Sequence, residues 1–548
     1  MLFLFLSVFT FEGCSNLLDV DSSRLVSPNG YQLTGANDTL YSTFAILSQL
    51  EKLADSYVLL GELRGDLMDV TSNSNLYLKE INNFNISSSN PFTNNIKDYY
   101  SVINNCNYVI HNIDTSIVRG GVKVMCKEYA ACKAIRAWTY MQIALNYGSA
   151  IYYDKPILTV EDAQAVQKQT PLSLPDLAPI LISDINPWKD VDEPTLGFLY
   201  SQNTSNSYFP IRFLLGDLYL WTGQYENAAN EYRDLMYKNS YIISTNNNYS
   251  RKVTNKAFTG EIDLTANSSG TGLPALSSED ITDIAATNEY GTVFKLDSLT
   301  LNRMIAPSAL SITNWQKQQY FVTNALDTLG DLRILGSAFP FSLTQTNYNY
   351  STIFNHISPT GANYVYKLIL MNPISTTKNT SKRVSPYRVP LLYLRYAEAV
   401  NRIGKPNLAM AVLKNGLTRA NLNNKKIVPL NERDSVLPNY MNFADTRFDT
   451  NIGIRMRGCG NVNTDTTFYV IPKLNALQDS VLYVEDLIQQ ELALETAFQG
   501  NRFQDLMRIA IRRDDNSYLA NIVSAKYTNN KDAIKTKLLT RANWYLAK

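Results

Sequence analysis

Residues 212–236 read RFLLGDLYLWTGQYENAANEYRDLM. Leu215, Gly216 and Tyr219 open the stretch, Gly223 and Tyr225 mark a turn, and Ala228 and Tyr232 fall on a second run of helical period. Small residues at 216 and 228 let two helices approach closely, and the rings between them fill the gap. A second copy keeps the register: Ala397, Gly404, Ala409 and Leu413 stand where Gly216, Gly223, Ala228 and Tyr232 stand in the first. Pro406 supports its turn. Two separate stretches with one spacing predict a mainly α scaffold of stacked helix pairs.

The spacing resembles the tetratricopeptide (TPR) unit, with Arg212 in place of the usual opening Trp. Ala137 and Tyr140, on one face of a helix, begin a further degenerate copy. Apolar residues at three- and four-residue steps predict helices over Tyr99–Ile113 and Val122–Tyr147, with Trp138 and Trp221 in the core. Across about 241–385 Ser, Thr, Asn, Gly and Pro become frequent and short apolar pieces such as Tyr364 to Leu368 replace the helical period. That texture predicts a large irregular insertion with short strands, displayed as loops by the scaffold of about 40–240 and 386–548. Leu430 to Asp479 reads as a second insertion. Residues 14–548 are read as a single domain.

The 548 residues carry 50 Lys+Arg and 49 Asp+Glu, a formal charge of +1. That balance excludes a nucleic-acid partner held by a basic face. With two histidines, His111 and His356, no His-rich metal site is expected. There are 35 Tyr, and Asn makes up about a tenth of the chain. Amphipathic rings and neutral amides suit neutral polar ligands.

Met1 to Phe11, MLFLFLSVFTF, is too short an apolar run to remain as a membrane span and fits the centre of a secretory signal peptide over residues 1–13. Small Gly13 precedes Cys14, which resembles the lipidated cysteine of a bacterial lipobox, although Phe11 stands where Leu is preferred and no basic residue precedes the run. Cys106, Cys126, Cys132 and Cys459 form no Cys-x-x-Cys pair and read as small buried hydrophobes. No Gly-x-Ser-x-Gly, His-Glu-x-x-His or phosphate-loop motif occurs. Asp19-Val20-Asp21 lacks the central Gly and terminal Glu of a calcium loop. No catalytic residue, cofactor or metal is therefore expected. A glycosidase, which needs only two carboxylates, stays open from sequence.

The order of these features resembles the SusD/RagB family of Bacteroidetes outer-membrane lipoproteins. Glu491, Glu495, Gly500, Arg502, Asp505, Leu506 and Arg508 stand in register with that family's C-terminal signature, while Leu492, Thr496 and Gln499 depart from it. Gly61-Glu62-Leu63-Arg64-Gly65-Asp66, Arg136-Ala137-Trp138-x-Tyr140, and Tyr387 to Leu392 leading into Tyr396 to Ala399 extend the likeness over most of the chain. The charged signature residues read as a partly buried network rather than a catalytic pair, because Arg neighbours keep carboxylates ionised. Gly500 reads as the end of the first signature helix, and Arg64-Gly65-Asp66 as a chance adhesion tripeptide.

The resemblance implies a TPR-like scaffold and a cell-surface nutrient binder, lipid-anchored in the outer membrane through Cys14. It also implies a SusC-type TonB-dependent transporter as partner, and glycans as cargo, with oligopeptides as the alternative. By the family's layout, ligand contacts fall at Tyr77, Phe84, Asn90 and Phe92 and at Tyr290, Trp315 and Tyr320. A secreted hydrolase and a periplasmic TPR scaffold are the rival readings.

Overall fold

The computed structural model describes residues 36–199, 202–244, 249–253, 262–266, 279–287, 295–322, 325–327, 330–342, 354–370, 381–434, 436–459, 464–465 and 469–547. Residues 1–13, Cys14 and Tyr290 lie outside them. The scaffold is built by α1 (Ala36–Glu62), α2 (Ile96–Asn112), α3 (Cys126–Tyr147), α4 (Leu174–Ile185), α5 (Ile211–Trp221) and α6 (Tyr225–Asn239). After the insertion, which contributes α7 (Ala309–Gln316), come α8 (Val389–Arg402), α9 (Pro406–Lys414), α10 (Leu477–Glu495), α11 (Arg502–Arg513), α12 (Asn516–Ser524) and α13 (Lys531–Leu538).

The two repeat copies form the pairs α5–α6 and α8–α9, and α6 packs on α8, so the copies adjoin in space. Their turns use Gly223 and Gly404 at φ +77° and +84°, a backbone region that excludes most side chains. Pro406 opens α9, where its missing N–H costs no helical bond. Arg212, at the position of the usual Trp, reaches Glu231 on the paired helix and Asp190, each at 2.5 Å, so an ion pair spans this opening instead of a ring.

Gly216 meets Tyr232 across the first pair. A Cβ on Gly216 would lie 2.3 Å from Tyr232 Cε1. The ring is held by its hydroxyl, which donates to Asp217 Oδ1 at 2.6 Å, and by Phe213 at a centroid distance of 5.7 Å. Gly216→Ala is therefore expected to destabilise the protein by about 1–3 kcal/mol, the usual cost of overpacking. A urea titration checks this, and a midpoint equal to that of the wild type counts against the close-packed seam.

Three sequence expectations need correcting. Helix α3 starts at Cys126, not Val122: Val118–Arg119 and Val122–Lys123 pair as a hairpin around Gly120-Gly121, both with positive φ, which the tight two-residue turn demands. Trp221 is only half-buried, with the Arg508 guanidinium 5.4 Å over its ring. Third, the described parts of the insertion do not merely ride on the surface. Trp315, Ile334 and Val365 are buried in the common core. Strand Met68–Val70 pairs antiparallel with Ile305–Pro307, and Asp280–Thr287 pairs with Ser381–Arg388, which leads directly into α8, so the insertion is stitched to the scaffold at two places.

Candidate functional site

Buried charge organises the C-terminal half. Glu398 on α8 is fully buried and faces Arg402 at 2.6 Å, Arg508 in a two-pronged contact at 2.6 and 3.0 Å, and Arg395 at 3.8 Å. Burial alone raises a carboxyl pKa, but these three guanidinium groups outweigh it and hold Glu398 at about 2. Glu495 is held at about 2 in the same way, by Arg457, Arg333, Arg388 and Lys367 against its burial. Glu491 accepts from Arg333 and Arg455, while Arg502 pairs with Asp66 and Arg508 with Asp505. Every charged residue of the signature thus stands in a buried ion pair. Gly500 does not end α10, whose cap is Thr496. It sits four residues on, at φ +89°, where the chain crosses Gly61 and Tyr57 of α1. Arg64 and Asp66 are 1% and 2% exposed, so the adhesion tripeptide is out of reach of a partner.

Where α7, α10 and α12 meet, the surface opens into a cleft of about 480 Å³. That volume lies in the range of small-ligand sites. Leu310 and Asn314 come from α7, Gln489, Gln490 and Ala493 from α10, and Tyr518, Asn521 and Ile522 from α12. Both carboxylates of its lining are held by arginines, Asp66 by Arg502 Nε at 2.6 Å and Asp486 by Arg513, outside the lining, at 2.7 Å, while Lys317 adds an exposed ammonium. Arg513 also covers the Tyr518 ring at 4.5 Å. Gln489 is 3% exposed, and neither Nε2 nor Oε1 of its amide has a hydrogen-bond partner. An amide left so costs about 1–3 kcal/mol. Arginine contacts hold both of these carboxylates toward their ionised form.

Most of the aromatic site candidates prove to be packing residues. Phe84 is buried against Phe503 at 5.8 Å, and Phe92 is buried as well. Trp315 is 1% exposed; its Nε1 donates to Leu494 O at 3.1 Å. Tyr320 is buried, its hydroxyl donating to Asp331 at 2.6 Å beneath Arg455. Burial on all faces withdraws these four rings from stacking on a ligand. Asn90 is buried too, donating to Tyr77 O and Glu80 at 2.9 Å each, and braces the loop. Tyr77 is half-buried. Trp315 nonetheless sits on the helix that lines the cleft, since α7 also presents Leu310 and Asn314 to it. Gln489 was missed in the sequence. Its one signal is polarity on the inward stripe of α10, beside Ile488 and Leu492.

Among the described residues no helix is long and apolar enough to cross a membrane, and no group of His, Cys, Asp and Glu could hold a metal ion. Cys106, Cys126 and Cys132 are free thiols, and Cys106 and Cys132 are buried.

No curated protein matches the chain in sequence. Solved structures share its fold. A SusD homolog from Bacteroides thetaiotaomicron superposes with a TM-score of 0.59 at 14% identity, covering 91% of this chain and 89% of that one. A SusD superfamily protein from Bacteroides vulgatus gives 0.58 at 14%, over 92% and 94%. A SusD-like carbohydrate-binding protein from Bacteroides fragilis gives 0.54 at 15%, over 88% and 87%. At such identities these likenesses speak for the fold alone. The family model of the SusD family matches residues 219–545, well over half the sequence and all of the signature region built above. The chain belongs to the SusD family.

Proposed function

We propose that this protein is a lipid-anchored outer-membrane binder that captures nutrient glycans at the cell surface and passes them, uncleaved, to a SusC-type TonB-dependent transporter. Family membership over residues 219–545 is the observation that carries the reading. The structure supports it from another side: the signature carboxylates Glu491 and Glu495 are locked in arginine contacts, so neither is free to serve as a glycosidase acid or nucleophile. Cys14 supplies the anchor. Tyr77, with its loop braced by Asn90, and Tyr290 remain the contacts for cargo.

The test uses the mature protein and intact cells. The protein is expected to bind members of a glycan panel saturably without releasing new reducing ends, and to co-purify with a large β-barrel in mild detergent. Cys14→Ser is expected to move it from the membrane pellet into the soluble fraction. Turnover of a bound glycan, or protection from protease added to whole cells, defeats the reading in favour of a hydrolase or a periplasmic scaffold respectively.

A further inference from the structure

We propose that Arg303, with Phe341 and Tyr364, forms a surface subsite for the carboxylate or sulfate of an acidic sugar. This rests on the glycan-binding reading above and narrows its cargo to acidic glycans. Arg303 follows the short helix Leu296–Leu301 and its cap Asn302; its own N–H donates to Thr300 O at 2.9 Å, and that of Met304 to Leu299 O at 2.7 Å. Its φ is +54°, the left-handed position that closes a helix and that glycine ordinarily fills. An arginine there strains the backbone, and the fold holds it in place. Thr71 Oγ1 donates to Arg303 O, Asn73 to Asn302 O and Ser74 to Met304 O. These bonds fasten Arg303 to the loop that leads, through the cap Asn75, into the helix carrying Tyr77.

The position presents a guanidinium that no carboxylate holds. It lies over the Phe341 ring, 4.9 Å from the centroid, and among the described residues it makes no ion pair and donates no hydrogen bond. Arg303 is part-exposed, and none of its nitrogens is sealed from water. Arg64 also lacks a carboxylate, but there Leu60 O, Trp544 O and Asn146 meet the donors. Ser342 to Ile353, next in sequence after the ring, contain no Asp or Glu. Phe341 is 41% exposed, and part-exposed Tyr364 stands beside it at 5.0 Å and 45°, its hydroxyl without a partner in the chain. A guanidinium laid on a ring keeps its planar fork of N–H donors free at the edge, which matches two oxygens of a carboxylate or sulfate. A neutral sugar can rest on the rings but leaves that charge unanswered. An acidic sugar answers both, its anion on the Arg303 fork and its C–H face against the exposed aromatic pair.

Calorimetric titration of the full mature chain with oligogalacturonate, oligoalginate and sulfated oligocarrageenan, each beside its methyl-esterified or desulfated form, tests the subsite. At least one acidic probe is expected to bind saturably, and its neutral form at least roughly tenfold more weakly, the effect of one lost charged hydrogen bond. Arg303→Gly is expected to bring the acidic probe down to the affinity of the neutral form while leaving the melting temperature equal or higher, because glycine relieves the positive φ. A merely structural arginine does not behave so. Arg303→Lys, which keeps the charge without the fork, is expected to fall between. Response to the carboxylated probes alone or the sulfated probe alone supports the subsite and identifies its anion. Equal affinity for acidic and neutral forms, wild-type affinity in Arg303→Gly, or a lowered melting temperature in that variant overturns the proposal and leaves the cargo reading standing. Binding of no glycan, acidic or neutral, overturns both.

Discussion

Glu398→Gln is expected to lower the unfolding free energy by about 3–5 kcal/mol, the cost of leaving buried charge without its counter-charge. Arg395, Arg402 and Arg508 converge on this one carboxylate, and all four residues are buried. Asp505 and Glu485 remain near but are already engaged, Asp505 with Arg395 and Arg508, Glu485 with Arg402, Arg512 and Arg513. Neither can take over. The same carboxylate sets a pH response. Its folded pKa of about 2 lies below the ordinary 4.5, so its stabilisation is complete above pH 4.5 and fades as pH falls from there toward 2. Urea midpoints measured from pH 7 down to pH 2.5 should therefore fall steeply in the wild type below pH 4.5, and less steeply in Glu398→Gln. By contrast Asp449→Asn, which breaks the exposed pair with Arg419, is expected to leave the midpoint unmoved. Equal midpoints for wild type and Glu398→Gln at pH 7 exclude the buried fastener.

What could be read from the sequence was whatever is decided within one hairpin of neighbouring elements. Gly216, Tyr232 and Gly223 declare a helix pair because their partners lie within one hairpin of consecutive helices, and the second copy repeats the spacing. The turn at Gly120-Gly121 was legible in principle for the same reason; the apolar spacing of Val122 and Val124 disguised it as helix. The role of Gly500 was not legible, because its positive φ answers to Tyr57 and Gly61, more than four hundred residues away. Aromatic residues in a polar, irregular stretch look exposed, yet Trp315 and Tyr320 are buried by α10 and by Arg455, partners that local composition does not name. Gln489 failed to announce itself for the opposite reason. A glutamine on a helix reads as solvated until the tertiary packing shows that its face is turned inward.

That dependence on distant packing makes Gly61→Ala the most damaging single methyl that can be added to the described residues near the signature. The new Cβ would stand 1.9 Å from Gly500 O and 2.3 Å from Gly500 C. Both are backbone atoms, so no side chain can swing aside; the chain between α10 and α11 must move. Moving it breaks more than packing. Glu62, fully buried beside Gly61, accepts from Phe498 N at 3.0 Å and Gly500 N at 2.8 Å, and Tyr57 donates to Asn501 at 3.0 Å. Overpacking of this kind costs about 1–3 kcal/mol, and each buried N–H left without its acceptor adds about 1–3 kcal/mol. The variant is expected to lose about 4 kcal/mol, the sum of the clash and one such N–H at mid-range. Gly65→Ala is the comparison: its Cβ would meet Arg502 Cγ at 2.9 Å and Glu62 O at 3.3 Å, a looser fit than the 1.9 Å backbone contact at Gly61. Its loss should be the smaller of the two. Soluble yield and denaturant midpoints of the two variants, measured together, decide the matter; equal effects would place the strain in any methyl added to this buried segment and not in the crossing of α1 with the signature turn.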